Sequence, residues 1–369
     1  MRNSRPSCFT ADLRMYRHSG IGRYLRNLFP LLLPLLNADR VRILSRREIL
    51  GDPAWLKDRR IKLVEETAQV YSSAEQMMGL HGAYRNTSLL WVPHYSVPVY
   101  YGRPMVVTMH DVAPLAMPEI LSNAAKRAYA ALLIKRAVTQ ASAILCVSEF
   151  TATELHARLG VRRDRMTVTH PGLDAGWPER AVPHVEPDGA PYLLYVGNVK
   201  PNKNLGLLLR AFAGIRTAVP YRLLLAGRMR GFGTNDEAVI REAESLGDRV
   251  RFTDEVSDTD LISLYAGAKA LCLPSLYEGF GLPLLEAMRL GCPVLCSTAG
   301  SLPEVAGDAA LYFDPRDEGA LAQRLLEVCD ENLMQKLRAR GSERVNLFSF
   351  KECALRSAEV MNRILEQGE

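Results

Sequence analysis

The sequence predicts an α/β fold made of two doubly wound halves, each a parallel sheet covered by helices. Short runs rich in Val, Ile and Leu alternate with helically spaced segments along nearly all of the 369 residues, the pattern of strands buried on both faces. The alternation breaks once, between Trp177 and Ala190, where three prolines and the turn pair Asp188-Gly189 interrupt all periodicity, and then it restarts. A chain of this length, 48% hydrophobic and 24% charged, suits about two domains. The expected organisation is a Rossmann-like domain over residues 1–180, a linker at 181–190, a second Rossmann-like domain over 191–348, and a helix at 349–369 that returns to the first domain.

In chain order, strands are expected at Ser7–Thr10, Val41–Leu44, Ile61–Val64, Leu89–Val92, Met105–Met109, Ala143–Val147 and Met166–Thr169. A helix is predicted from Glu119 to Gln140, where apolar residues alternate with Lys126, Arg127, Lys135 and Arg136. After the linker, strands follow at Tyr192–Val196, Arg222–Ala226, Arg249–Phe252, Ala268–Leu273 and Pro293–Cys296, with helices near Leu205 and Glu237–Ser245. Phe350–Glu366 reads as one amphipathic helix. Two such halves place a ligand at the carboxyl ends of the strands.

Composition narrows the function classes. The longest apolar stretch, Leu28–Leu36, contains Pro30 and Pro34 and falls well short of the ~20 residues that a membrane span needs. The first residues run directly into a strand-like segment near Cys8 without an apolar signal region, so a cytoplasmic location is expected. Seven cysteines, several of them in strand-like runs, read as buried thiols. Residues 1–180 hold 25 Lys and Arg against 15 Asp and Glu, whereas 181–369 hold 21 against 26. That asymmetry suits an anionic partner for the first half, with a solvated basic face as the plain alternative.

The most informative segment is Pro274-Ser-Leu-Tyr-Glu278-Gly279-Phe280-Gly281-Leu282-Pro283-Leu-Leu-Glu286. A strand runs into a glycine loop, and Pro283 suits the first turn of the next helix. Such a helix start presents free backbone N–H groups and a positive dipole end, fit for a phosphate or a sugar hydroxyl. Glu278 and Glu286 flank the loop and can accept from paired hydroxyls. On chemistry alone they could equally complement a helix dipole and cap a turn. A second segment, Gly197-Asn198-Val-Lys200-Pro-Asn-Lys203-Asn204, puts lysines at a helix start, which is unfavourable unless an anion lies between. A diphosphate would serve. In the first half, Ser19-Gly20-Ile-Gly22-Arg23-Tyr24 begins like a dinucleotide fingerprint, but Leu25 stands where the third glycine belongs. Arg46 and Arg47 stand where a ribose-binding acid belongs, against a nicotinamide cofactor. His110 and Asp111 follow the strand at Met105, and Asp12, His94, Ser148 and Glu149 follow others.

These segments resemble the retaining nucleotide-sugar glycosyltransferases of family 4, which have the GT-B architecture. Glu278 and Glu286 match that family's paired glutamates, and Lys203 matches its lysine; Asn198 stands where arginine is common. The resemblance implies that Glu278 and the amides of Gly279, Phe280, Gly281 and Leu282 hold the donor hexose. It implies that Glu286 binds the ribose hydroxyls and that Lys203 meets the diphosphate, with Lys200 or Arg228 replacing the missing arginine. Gly20, Gly22, Gly197 and Asn198 are expected beside the donor, and His110 at the donor sugar. His110, Lys203 and Glu278 are the expected catalytic groups. The early motifs look most like the mannosyl-transferring members that build bacterial surface polysaccharide. The expected partners are therefore a nucleotide-sugar donor, GDP-mannose by preference, a lipid-linked or oligosaccharide acceptor, and an anionic membrane surface. Nucleic acid is not expected, nor is any cofactor or metal ion. The alternatives are a UDP-glucose, UDP-N-acetylglucosamine or dTDP-rhamnose user, and a sugar-nucleotide-binding protein without transfer.

Overall fold

A computed structural model describes residues 6–18, 20–77, 84–99, 101–173, 176–227 and 237–367. The chain forms two compact units. One comprises Met1–Val112, Ala128–Gly172 and Ser349–Glu369; the other comprises Ala113–Arg127 and Leu173–Phe348.

The first unit holds seven strands: β1 (Cys8–Asp12), β2 (Arg40–Ser45), β3 (Ile61–Glu65), β4 (Leu89–Val92), β5 (Met105–Met109), β6 (Ala143–Cys146) and β7 (Met166–Val168). They form one sheet in the order β3-β2-β1-β4-β5-β6-β7, and every pairing is parallel. The order reverses between β1 and β4, so loops after those two strands diverge and leave a crevice at their carboxyl ends. Strands β1, β4 and β5 are buried along their whole length, as a sheet covered on both faces requires. The helix Phe350–Gln367 belongs to this unit, as expected. Its Asn362 Nδ2 donates to Leu35 O at 2.8 Å, and Phe350 meets Tyr24 edge to face with ring centroids 6.2 Å apart.

The second unit repeats the winding with β8 (Tyr192–Val196), β9 (Arg222–Ala226), β10 (Val250–Asp254), β11 (Ala270–Leu273), β12 (Val294–Ser297) and β13 (Ala310–Phe313). Their order is β10-β9-β8-β11-β12-β13, again all parallel, with its reversal between β8 and β11. The core packs Leu193, Tyr195 and Leu223 from the sheet against Leu208 and Phe212 of the helix Leu205–Ile215. Residues of the expected linker are tied to this unit: Glu186 is buried and accepts from Arg251 at 2.7 Å, and His184 N donates to Ser263 O at 2.9 Å.

Two elements depart from expectation. The helix expected from Glu119 begins at Ala124, because the Asn123 side chain accepts from Lys126 N at 2.8 Å and caps it. Pro118–Ile120 is a separate 3-10 turn. Strand β13 had no sequence signal beyond five apolar residues between Asp308 and Asp314, too short a run to separate from a helix.

Candidate functional site

The loops after β8 and β11, at the reversal of the second sheet, bring Lys203 and Glu278 together. Lys203 Nζ lies 2.6 Å from Glu278 Oε1, in a pair 21% and 13% exposed. The chain folds this way through two asparagines. Asn204 takes a left-handed conformation, φ 54°, where its Nδ2 donates to Pro274 O at 3.0 Å and Pro315 O at 2.8 Å. Asn202 Nδ2 donates to Tyr277 O at 3.3 Å, and Leu276 N returns a bond to Asn202 O at 2.8 Å. Lys203 ends a 3-10 turn, Pro201–Lys203, just before the helix at Leu205. The anion that a lysine needs at a helix start is supplied here by the protein's own carboxylate.

Glu278 is fixed from three sides. Ser275 Oγ donates to the same Oε1 at 2.7 Å, while Ser301 N and Oγ both donate to Glu278 O at 3.1 Å. Gly300, φ 64°, lets that contact form, since a Cβ there would lie 2.6 Å from Glu278 O. The helix Leu282–Arg289 follows, with Gly281 at its N-cap without a side-chain cap and Pro283 in its first turn. The N-cap hydroxyl or carboxylate that usually answers the first N–H groups is thus missing from the glycine loop. Glu286 is 2% exposed, and Tyr265 OH donates to its Oε2 at 2.8 Å. Phe280 is buried with its ring 5.7 Å from that of Phe348. Gly197 N donates to Ala226 O at 2.9 Å, and Asn198 O accepts from Tyr195 OH at 3.3 Å. Asp258 and Asp260 occupy the first turn of a helix capped by Ser257. Arg228 lies outside the described residues, as does Ser19.

The other expected residues belong to the first unit. Gly20 and Gly22 open the helix Gly20–Leu32; a Cβ at Gly22 would lie 2.6 Å from Tyr16 O, so packing alone demands that glycine. His110 ends β5, its ring edge to face with Tyr24 at 4.9 Å. Its Nε2 is 3.0 Å from Pro93 O; a carbonyl only accepts, so Nε2 carries the proton and Nδ1 keeps its lone pair. Burial, with the Pro93 bond opposing it, holds the imidazole down to about 4, so the ring is neutral near pH 7. Between about pH 6.5 and 4 the unfolded chain therefore binds more protons than the folded one. The stability due to this group is whole above pH 6.5 and is lost as pH falls to about 4. His110→Phe, which keeps a ring against Tyr24, should flatten the fall of the melting temperature over that window. An unchanged slope would remove the assignment.

Beside it, Asp12, Glu75 and His94 bring ligand-type atoms within 4.8 Å of one another. Arg14 already supplies a cation there, 2.9 Å from Asp12 Oδ1 and 2.6 Å from Glu75 Oε1. Burial alone would raise the Asp12 carboxyl, but the Arg14 guanidinium holds it well below the usual carboxylate range. The Arg14 guanidinium, shared between the two carboxylates, stands where an ion would otherwise sit.

Tyr265, Ser275, Asn202 and Ser301 were not foreseen as supports. The partners of Tyr265, Asn202 and Ser301 lie 21 to 75 residues away in sequence, where no local pattern reports them, whereas Ser275 stands three residues before Glu278, and that spacing could have announced it.

Two parallel sheets of this order are the GT-B architecture, and the second carries a lysine–glutamate pair and a glycine-started helix at its reversal. Residues 80–177 match the family described as Glycosyltransferase Family 4, and residues 178–345 match Glycosyl transferases group 1. The chain is 33% identical over 274 residues to the O-antigen chain mannosyltransferase B of Escherichia coli, covering 71% of this chain and 70% of that one. It is 33% identical over 183 residues to the serotype-specific mannosyltransferase WbdA of Escherichia coli, 48% of this chain but 22% of that longer protein. Among solved structures, Anabaena Alr3699/HepE in complex with UDP and glucose superposes with a TM-score of 0.71 at 19% identity, over 97% of this chain and 100% of that one. The chain belongs to the family 4 glycosyltransferases.

Proposed function

We propose that this enzyme moves a mannosyl group from GDP-mannose, with retention and without a metal ion, to a lipid-linked or oligosaccharide acceptor of bacterial surface polysaccharide. The observation that carries this reading is the Lys203–Glu278 pair, 2.6 Å apart, beside a helix start and a buried Glu286. The name of the E. coli O-antigen relative supports mannose, and the UDP and glucose of the HepE structure support a nucleotide-sugar donor. Glu286 would accept from the ribose hydroxyls, with Tyr265 holding its carboxylate in place. Glu278 and the amides of Gly279, Phe280, Gly281 and Leu282 would hold the hexose. Lys203 would stabilise charge on the departing diphosphate, the work for which a metal is otherwise used. His110 is assigned with the catalytic groups, because a neutral ring with a free Nδ1 lone pair can accept from a sugar hydroxyl. Gly20, Gly22, Gly197 and Asn198 remain assigned beside the donor.

The test is turnover of GDP-mannose, UDP-glucose, UDP-N-acetylglucosamine and dTDP-rhamnose in EDTA, with the anomeric form of the product read by NMR. GDP-mannose should be consumed and an α-linked product formed. Activity with another donor alone, dependence on added Mg2+ or Mn2+, or binding of GDP-mannose without transfer would overturn the corresponding part.

A cytoplasmic enzyme docked at the membrane edge remains part of the proposal. Among the described residues no helix is long and apolar enough to cross a bilayer. On the helix Ala124–Gln140, Lys126, Arg127 and Lys135 are exposed. Arg136, expected to join them, instead donates to Val99 O. Leu132 is 62% exposed, whereas Leu133 and Ile134 are buried. At about 100° per residue, Arg127, Leu132 and Lys135 share one side and Lys126 lies opposite Lys135. Two cations at about 1 kcal/mol each support weak, salt-sensitive attachment. Flotation with anionic liposomes at low salt should recover part of the protein, and Arg127→Glu with Lys135→Glu should abolish that recovery. No recovery of the wild type would point to a soluble acceptor.

A further inference from the structure

Apart from the donor site of the second unit, the first unit carries a cavity of about 390 Å3 at the carboxyl ends of β1, β2 and β3, lined by Arg17, His18, Arg46, Thr67, Gln69 and Tyr71 among others. One wall, residues 66–71, is held rigidly. Arg14, 8% exposed, donates to Ala68 O at 3.0 Å while its other nitrogens hold Asp12 and Glu75. Glu75 Oε2 accepts from Tyr71 N at 2.7 Å and from Ser96 Oγ. Ser72 Oγ closes the turn on Gln69 O at 2.6 Å.

Tyr71 takes φ 69°, a conformation that a bulky residue adopts only when its surroundings impose it, and such strain gathers at binding sites. Here the Glu75 carboxylate imposes it. The charge of Arg14 is answered by Asp12 and Glu75, which leaves Arg17 and Arg46 as the cations offered to the cavity. Arg17 makes no ion pair among the described residues, and Arg46 has only Glu48 at 3.8 Å, both groups well exposed, a contact of little weight. The one acid in the lining, Glu66, accepts from Ala68 N at 2.9 Å.

We infer that this cavity binds an anionic saccharide, the charged portion of the acceptor. Two guanidinium groups suit a phosphate or a carboxylate. The Tyr71 ring offers apolar surface to the C–H face of a sugar, and Thr67 and Gln69 offer donors and acceptors to its hydroxyls. Only naming the occupant as acceptor rests on the glycosyl-transfer reading; the binding itself does not.

The experiment titrates the full chain, saturated with GDP, with α-mannose 1-phosphate, glucuronic acid and neutral mannose. Mannose 1-phosphate should bind at least tenfold tighter than mannose. Arg17→Ala with Arg46→Ala should cut its affinity at least tenfold and leave GDP affinity unchanged. Tyr71→Gly, which suits φ 69° better than tyrosine, should weaken binding without lowering the melting temperature. Glucuronic acid binding as tightly as mannose 1-phosphate identifies a carboxylate as the charge, and much weaker binding identifies a phosphate. No preference for the charged sugars, or affinity indifferent to both sets of substitutions, overturns the inference. Glu286→Gln should lower GDP affinity alone. Failure of GDP to bind, with the Arg17 and Arg46 effect intact, would count against the donor site and not against this one.

Discussion

Lys203→Ala is expected to lower turnover by about a hundredfold to a thousandfold, the loss seen when one preorganised donor to a developing negative charge is removed. The lysine lies beside a carboxylate in the resting protein, 2.6 Å from Glu278 Oε1, and would gain most once charge moves onto the diphosphate. The effect should therefore fall on kcat more than on KM. The substitution also leaves the Glu278 carboxylate with Ser275 Oγ, at 2.7 Å, as its side-chain donor among the described residues, so the melting temperature of the variant, read beside its rate, reports the stranded carboxylate separately from lost catalysis. Steady-state rates decide it: turnover near that of the wild type would take Lys203 out of the diphosphate site.

Gly300→Ala is expected to destabilise the second unit and disturb the Glu278 loop together. The new Cβ would lie 2.6 Å from Glu278 O and 2.7 Å from Glu278 N, and the position has φ 64°. Both neighbours are backbone, so no side chain can turn aside. Left-handed strain and overpacking together cost about 3 kcal/mol, which for a unit of this size lowers the melting temperature by roughly 6–12 °C. Donor affinity should fall with it, because what moves is the residue that holds Lys203. Calorimetry and GDP titration on the same sample check both; an unchanged melting temperature would mean that the loop yields at no cost.

The winding of both halves was legible in the sequence because parallel strands buried on two faces leave runs such as Leu193–Val196 and Leu271–Leu273 that little else produces. The placing of the Lys203 and Glu278 segments directly after strands was legible too, since each follows a short apolar run. What was not legible lies across the chain. Tyr265 sits in the last turn of a helix and looks like core, yet its hydroxyl holds Glu286. Arg14 and Glu75, 61 residues apart, form the buried network beneath the first unit's cavity, and nothing near either residue announces the other. Arg136 turns to Val99 O and Leu132 to solvent, because helical spacing gives the faces of a helix without saying which neighbour covers them.

The Lys203–Glu278 pair has a further consequence for how the enzyme lets go. A lysine left alone in an empty pocket would seize any passing phosphate, and the spent nucleoside diphosphate would be the hardest to shed. With Glu278 2.6 Å away, the ammonium has a counter-charge in the resting protein; on the proposed reading, an arriving diphosphate would displace a resident rival and a departing one would be replaced by it. The net gain on binding is the difference between two partners rather than the whole of one. On that reading Glu278 would serve as a tethered decoy that eases release of the product.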